Sequence, residues 1–138
     1  MAVRVVIAES DHAARNALVA LLAMEEGVAV AGEAATAAEV VVLCASLRPE
    51  VVLLADLLAA PACISSLRAR SPATRILVLA TYPGSAGAAV AAGADSSVLK
   101  DAGTQELSKA IRALGGAHDP ADRRAGEDPG RAPRLWSD

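Results

Sequence analysis

Phenylalanine is absent from this chain of 138 residues, and the aromatic complement reduces to Tyr82 and Trp136. A core without large rings has to be built from Ala, Val and Leu, which supply most of the 54% apolar content. Such a core suits close helix–sheet packing and leaves few anchors for aromatic ligands. An excess of basic residues is missing too. The net charge of -3 argues against a nucleic-acid surface, which needs clustered Lys and Arg. Cysteine is scarce: Cys44 and Cys63 stand apart in apolar stretches with no CxxC spacing, and are expected to be buried thiols. No apolar run has membrane-spanning length, and the N-terminus enters a strand with no signal-peptide layout. No membrane role and a cytoplasmic location are therefore expected. The length suits one domain with a proper core.

What is present is an alternation. Short β-rich apolar runs exchange with amphipathic stretches, the pattern of a parallel sheet covered on both faces. Strands are expected at Val3 to Ala8, Val28 to Ala31, Val51 to Leu54, Ile76 to Leu79 and Ser97 to Leu99. The first helix is capped by Ser10 or Asp11, carries Leu18, Leu21 and Leu22 at helical spacing, and is ended by Gly27. A second runs from Thr36 to about Leu47 before Arg48-Pro49, and a third from about Ala62 to Arg70 before Ser71-Pro72. Pro83-Gly84 reads as a loop before a small-residue helix that Gly93 terminates. Thr104 opens the last helix as its N-cap, with Leu107, Ile111 and Leu114 on one face. Five βα units in succession predict an α/β, flavodoxin-like, doubly wound five-stranded parallel sheet of order 2-1-3-4-5, with helices on both faces. The domain is expected over residues 1–116. The remaining 117–138, with five acids and four arginines among Gly, Pro and Ala, read as a disordered polar tail.

In such a sheet ligands gather beyond the carboxyl ends of the central strands. Glu9, Ser10 and Asp11 arrive there after the first strand, Ala55 and Asp56 after the third, Ala80 and Thr81 after the fourth, and Lys100 at the end of the fifth. Carboxylates from the first two groups would suit a hard divalent cation, while a lysine and a hydroxyl would receive phosphate oxygens. That set fits phosphoryl transfer to an aspartate.

Across residues 3 to about 116 the chain resembles the receiver domains of bacterial two-component response regulators, in the branch with a LuxR-type (NarL-type) output domain. The stretches Val3 to Glu9, Arg48 to Leu54, Arg75 to Leu79 and Val98 to Ala102 carry the likeness, with Ala92-Gly93-Ala94 and Ile111-Arg112 adding to it. The resemblance implies a pair of acids after the first strand, and these positions hold Glu9 and Ser10, with Asp11 one place late. The family's phosphoacceptor aspartate falls on Ala55, and Asp56 follows it. Strand side chains alternate, so a one-residue offset aims Asp56 away unless a bulge corrects it. The switch hydroxyl falls on Ala80, with Thr81 one place late, and the aromatic switch position falls on Ser97. Lys100 alone stands in place. The loop after the third strand is also shorter than the family's and lacks its Pro-Gly and Asp-Gly turn.

A phosphorylation pocket degenerate at so many positions predicts an atypical receiver, no enzyme in its own right, that acts in signal transduction or transcription regulation by phosphorylation-independent binding. Its expected partners are a second copy or another regulatory protein, meeting the face of the fourth helix, fifth strand and fifth helix, or a small-molecule ligand. Direct nucleic-acid binding is not expected, and no cofactor is required. The alternative is a single-domain phosphoacceptor using Asp56, with Mg2+ held by Glu9, Asp11 and Asp56. Lys100 is expected to pair with Glu9, Asp56 or Asp101 as a structural ion pair. His12 and His118 have no neighbouring nucleophile or ligand and read as spectators. Ser65-Ser66 and Ser96-Ser97 lack a nucleophile elbow, and Gly84 with Gly87 makes no dinucleotide fingerprint. The arginines at 123, 124, 131 and 134 alternate with acids, as on a solvated segment.

Overall fold

The structure is a computed structural model that describes residues 2–116. The expectations for the segment 117–138, including those for His118 and the four arginines, lie outside the described residues. Strands β1 (Val3–Ala8), β2 (Val28–Ala34), β3 (Val51–Ala55), β4 (Arg75–Ala80) and β5 (Ser96–Leu99) form one parallel sheet in the order β2-β1-β3-β4-β5. The helices α1 (His12–Ala23), α2 (Ala37–Leu47), α3 (Pro61–Arg70), α4 (Pro83–Ala91) and α5 (Thr104–Gly116) supply the crossovers. The doubly wound order read from the βα alternation is the one observed.

Side-chain alternation along each strand divides the apolar core in two. Val6, Ala8, Val52, Leu54, Ile76 and Val78 face α2, α3 and α4, where they meet Val40, Cys44, Ile64, Leu67 and Ala89. Val3, Val5, Ile7, Val51, Leu53, Leu77 and Leu79 face α1 and α5, against Leu22, Leu107, Ile111 and Leu114. Each such aliphatic side chain contributes about 1.5–3 kcal/mol by leaving water. Because the inner strands are covered on both faces, β3 and β4 are buried at every position. Close approach takes the place of bulk: a Cβ on Gly115 of α5 would stand 2.7 Å from Val3 Cγ2 and closer still to Cγ1, so only glycine lets α5 lie on β1 there.

Several boundaries differ from the sequence reading. β2 runs on to Ala34, because a shift in register between Val5 and Val6 leaves Ala31 unpaired and lets Gly32-Glu33-Ala34 rejoin β1. Helix α1 ends at Ala23, and Gly27, with φ +83, forms the turn into β2. Pro83 is no loop residue. It occupies the first position of α4, where its fixed φ suits the helix and its missing N–H leaves no bond unmade. Of the leucines expected on the buried face of α1, Leu22 is buried but Leu21 remains 47% exposed. Cys44 and Cys63 are free and buried on α2 and α3. Burial, together with the neighbouring Cys63, pushes the Cys44 thiol up to about 12, and burial raises Cys63 as well. No helix among the described residues is long and apolar enough to cross a membrane.

Candidate functional site

The same alternation that divides the core also divides the carboxyl edge of the sheet. Glu9 follows Val3, Val5 and Ile7 in register and so belongs to the α1/α5 side, where it is only 5% exposed. Its Oε2 accepts the Asp11 N–H at 2.9 Å, and Lys100 Nζ stands 3.8 Å from its Oε1. Of the three partners considered for Lys100, the one in ion-pair contact is thus Glu9. The Lys100 side chain is 45% exposed and leaves the sheet in a single 3₁₀ turn, Lys100–Ala102, beyond Leu99.

Ser10 is exposed and makes no side-chain bond among the described residues. Asp11 is the N-cap of α1: its backbone is extended, and its Oδ2 accepts the Ala14 N–H at 2.8 Å. The carboxylate expected to join Glu9 is thus engaged in starting a helix. His12 opens α1 with Nδ1 3.1 Å from Arg15 Nη2 and Nε2 3.1 Å from Asn16 Nδ2. Arg15 in turn donates to the Glu9 carbonyl at 2.8 Å and meets Glu33 at 3.2 Å, which fixes the β1 exit.

At the β3 exit Ala55 is buried in extended backbone, and Asp56 begins a 3₁₀ turn, Asp56–Leu58. Asp56 continues the series Val52, Leu54, so it belongs to the α3/α4 side, opposite to Glu9. It lines a small pocket with Ala59, Pro61, Ser85, Ala88, Ala89 and Ala92. Its Oδ2 accepts the Thr81 N–H at 2.7 Å, tying the exit of β3 to that of β4. Partial burial works to raise the Asp56 carboxyl. The Thr81 N–H, the hydroxyls of Thr81 and Ser85, and the charge of Lys100 outweigh that and hold it below the ordinary carboxylate value. Ala80 is fully buried, Thr81 is exposed, and Ser97 is half-buried opposite Val78 in the β4–β5 ladder.

All the residues singled out from the sequence therefore reach one edge, but in two groups. Glu9 and Lys100 line the pocket between α1 and α5, and Asp56 bonds Thr81 beside α3 and α4, with the charge of Lys100 still acting on Asp56. Among the described residues no three His, Cys, Asp or Glu side chains come close enough to share a metal ion, so Glu9, Asp11 and Asp56 do not converge. Two participants were not foreseen. Ser85, three residues beyond Tyr82, bonds the Tyr82 carbonyl at 2.9 Å while standing beside Asp56; its spacing from the start of α4 was the available signal. The other is a pocket between α1 and α5, lined by leucines that periodicity alone assigns to the core.

No protein-family model matches the chain. It is 31% identical over 128 residues to the DNA-binding transcriptional activator DevR/DosR of Mycobacterium tuberculosis, an alignment covering 89% of this chain and 59% of that protein. The chain thus spans about three-fifths of that relative's length. Among solved structures, the signal receiver domain of the response regulator NarL from M. tuberculosis superposes with a TM-score of 0.75 at 27% identity, covering 83% of this chain and 97% of that one. A LuxR-family two-component response regulator from Aurantimonas gives 0.76 at 27% identity, covering 90% and 94%. The response regulator domain of Thermotoga maritima CheB, at 20% identity and a TM-score of 0.73, shares the fold. In its five-stranded architecture, and in sequence across nearly the whole described domain, this chain is similar to the receiver domains of NarL/LuxR-family response regulators.

Proposed function

We propose that this chain is an atypical receiver acting in signal transduction or transcription regulation through binding, without phosphoryl transfer and without turnover of its own. One observation carries the reading. At the β3 exit Ala55 holds the position the resemblance gives to the phosphoacceptor, while the Asp56 carboxylate accepts the Thr81 N–H and lines a pocket with residues of α3 and α4, and Glu9 and Lys100 line the pocket between α1 and α5. Transfer of a phosphoryl group to an aspartate requires the acceptor, the cation ligands and the lysine to converge within bonding distance of one point. Separation between two pockets breaks that convergence. The partner is a second copy or another regulatory protein, and the face of α4, β5 and α5 suits it: Val90 and Ala91 of α4 are exposed.

A second reading has one observation in its favour. Asp56 is held ionised and only partly buried, as a phosphoacceptor assisted by Mg2+ would have to be. Titration of the ¹⁵N-labelled chain with berylliofluoride and Mg2+ separates the two. The proposal expects no saturable shifts at the amides of Ala55, Asp56, Thr81 and Lys100. Saturable shifts there that vanish in Asp56→Asn would establish the phosphoacceptor instead.

A further inference from the structure

A pocket of about 280 Å³ opens between α1 and α5, on the Glu9 side of the sheet edge. Its walls are Leu18 and Leu21 of α1, Leu79 of β4, Leu99 of β5 and Leu107 of α5. At this size it falls just below the ~300–1,000 Å³ that receives drug-sized ligands, which points to a smaller metabolite. Leu21 stays nearly half exposed on a helix whose neighbour Leu22 is fully buried, so the α1 wall of the pocket is open, while Leu79 and Leu107 belong to the core beneath it.

The polar part of the pocket is one carboxylate and one ammonium. Glu9 is almost completely buried; its Oε2 accepts the Asp11 N–H, and its Oε1 faces the Lys100 ammonium. The Lys100 ammonium stands 3.8 Å away, in ion-pair range but too far for a direct bond, and its other donors are free to turn into the pocket. Gly103 and Thr104 form part of the same lining at the start of α5, a thirteen-residue helix whose first-turn N–H groups carry partial positive charge. An acceptor site on a buried carboxylate thus lies beside a cluster of donors, above a floor of leucine.

We propose that this pocket binds a small zwitterion with an apolar side chain, that is, a free apolar amino acid. Its ammonium donates to Glu9 Oε1, its carboxylate accepts from Lys100 and the start of α5, and its side chain lies among the five leucines. Glu9 and Lys100 balance one another, so a zwitterion brings no net charge into the pocket and meets both groups, whereas a ligand of one sign leaves its own charge unmatched. The inference deepens the proposed binding role by naming its ligand class and rests on that role for its regulatory meaning. Occupancy is measured without phosphoryl donor or Mg2+, so the two proposals fail separately.

The test is calorimetric titration of the full chain with L-leucine and with L-phenylalanine, followed by the deaminated and decarboxylated analogues of whichever binds more tightly. Saturable binding is expected, with each analogue weaker by about tenfold or more, as loss of one charged hydrogen bond implies. Ala17→Leu narrows the pocket from α1 with a good helix former and is expected to abolish binding while circular dichroism remains native. Lys100→Met, at an exposed position, is expected to weaken the amino acid but not its decarboxylated analogue. No saturation by either amino acid up to about 10 mM, equal affinities across the three compounds, or full binding by Ala17→Leu would each overturn the proposal.

Discussion

Replacing Asp56 by asparagine asks what its carboxylate does. In the structure it receives the Thr81 N–H at 2.7 Å and bridges the exits of β3 and β4. A hydrogen bond to a charged acceptor contributes about 1.5–3 kcal/mol, against about 0.5–1.5 for a neutral one. Asp56 is half-buried and Thr81 exposed, so solvent screening trims that difference to about 1 kcal/mol or less. For a domain of this size the melting temperature of Asp56→Asn should fall by about 4 °C. The pH dependence fixes the cause. The folded carboxyl lies below its unfolded value, so its contribution is fully present above the ordinary 3.8 and is lost as pH falls through the lower folded value. Thermal melts by circular dichroism should therefore show a gap between wild type and variant at neutral pH that closes in acid. The reasoning fails if the gap is the same at every pH. It fails equally if Asp56→Asn is the more stable protein at neutral pH, as relief of a strained, function-ready carboxylate would give.

Further outcomes follow from the packing. Gly115→Ala should lower the urea midpoint, because overpacking against Val3 costs about 1–3 kcal/mol and the helix-propensity gain returns only about 1. Gly116→Ala, with no neighbour within 4 Å, should be neutral or slightly stabilising; equal losses for both would contradict the α5–β1 contact. Thr36→Ala removes the hydroxyl that accepts the Glu39 N–H at 3.1 Å and should cost about 1 kcal/mol in the same unfolding assay. Native protein at pH 8 should resist iodoacetamide at both cysteines, since burial raises both thiols, Cys44 to about 12, and labelling should become rapid in urea. Fast native labelling would mean that α2 and α3 do not pack as described.

The fold was legible because its signals are local. Consecutive β-branched and apolar residues such as Val51 to Leu54, bounded by turn signals, fit a strand covered on both sides, and Ser10-Asp11, Thr36 and Pro49 mark helix ends by chemistry that does not depend on distant contacts. Where tertiary structure intervenes the reading slipped. The second strand was expected to end at Ala31, yet a shift in register carries Gly32 on into β2, against Leu43 and Leu47. Pro83-Gly84 looks like a loop and is the first turn of α4.

At the site, strand parity led to the expectation that Asp56 is offset from a phosphoacceptor position; in the structure its carboxylate accepts the Thr81 N–H and lines a pocket with residues of α3 and α4. The partner of Lys100 was not legible, because three carboxylates stood within reach in sequence and only the arrangement of the β1 exit selects Glu9. Nor was the α1/α5 pocket, since a leucine facing a cavity and a leucine facing a core share the same helical period.

Intact-mass spectrometry after incubation with acetyl phosphate and Mg2+ addresses the central claim directly. With Ala55 at the β3 exit and Asp56 turned toward Thr81, the mass should remain that of the unmodified chain. A covalent phosphoryl adduct present in the wild type and absent from Asp56→Asn would contradict the account.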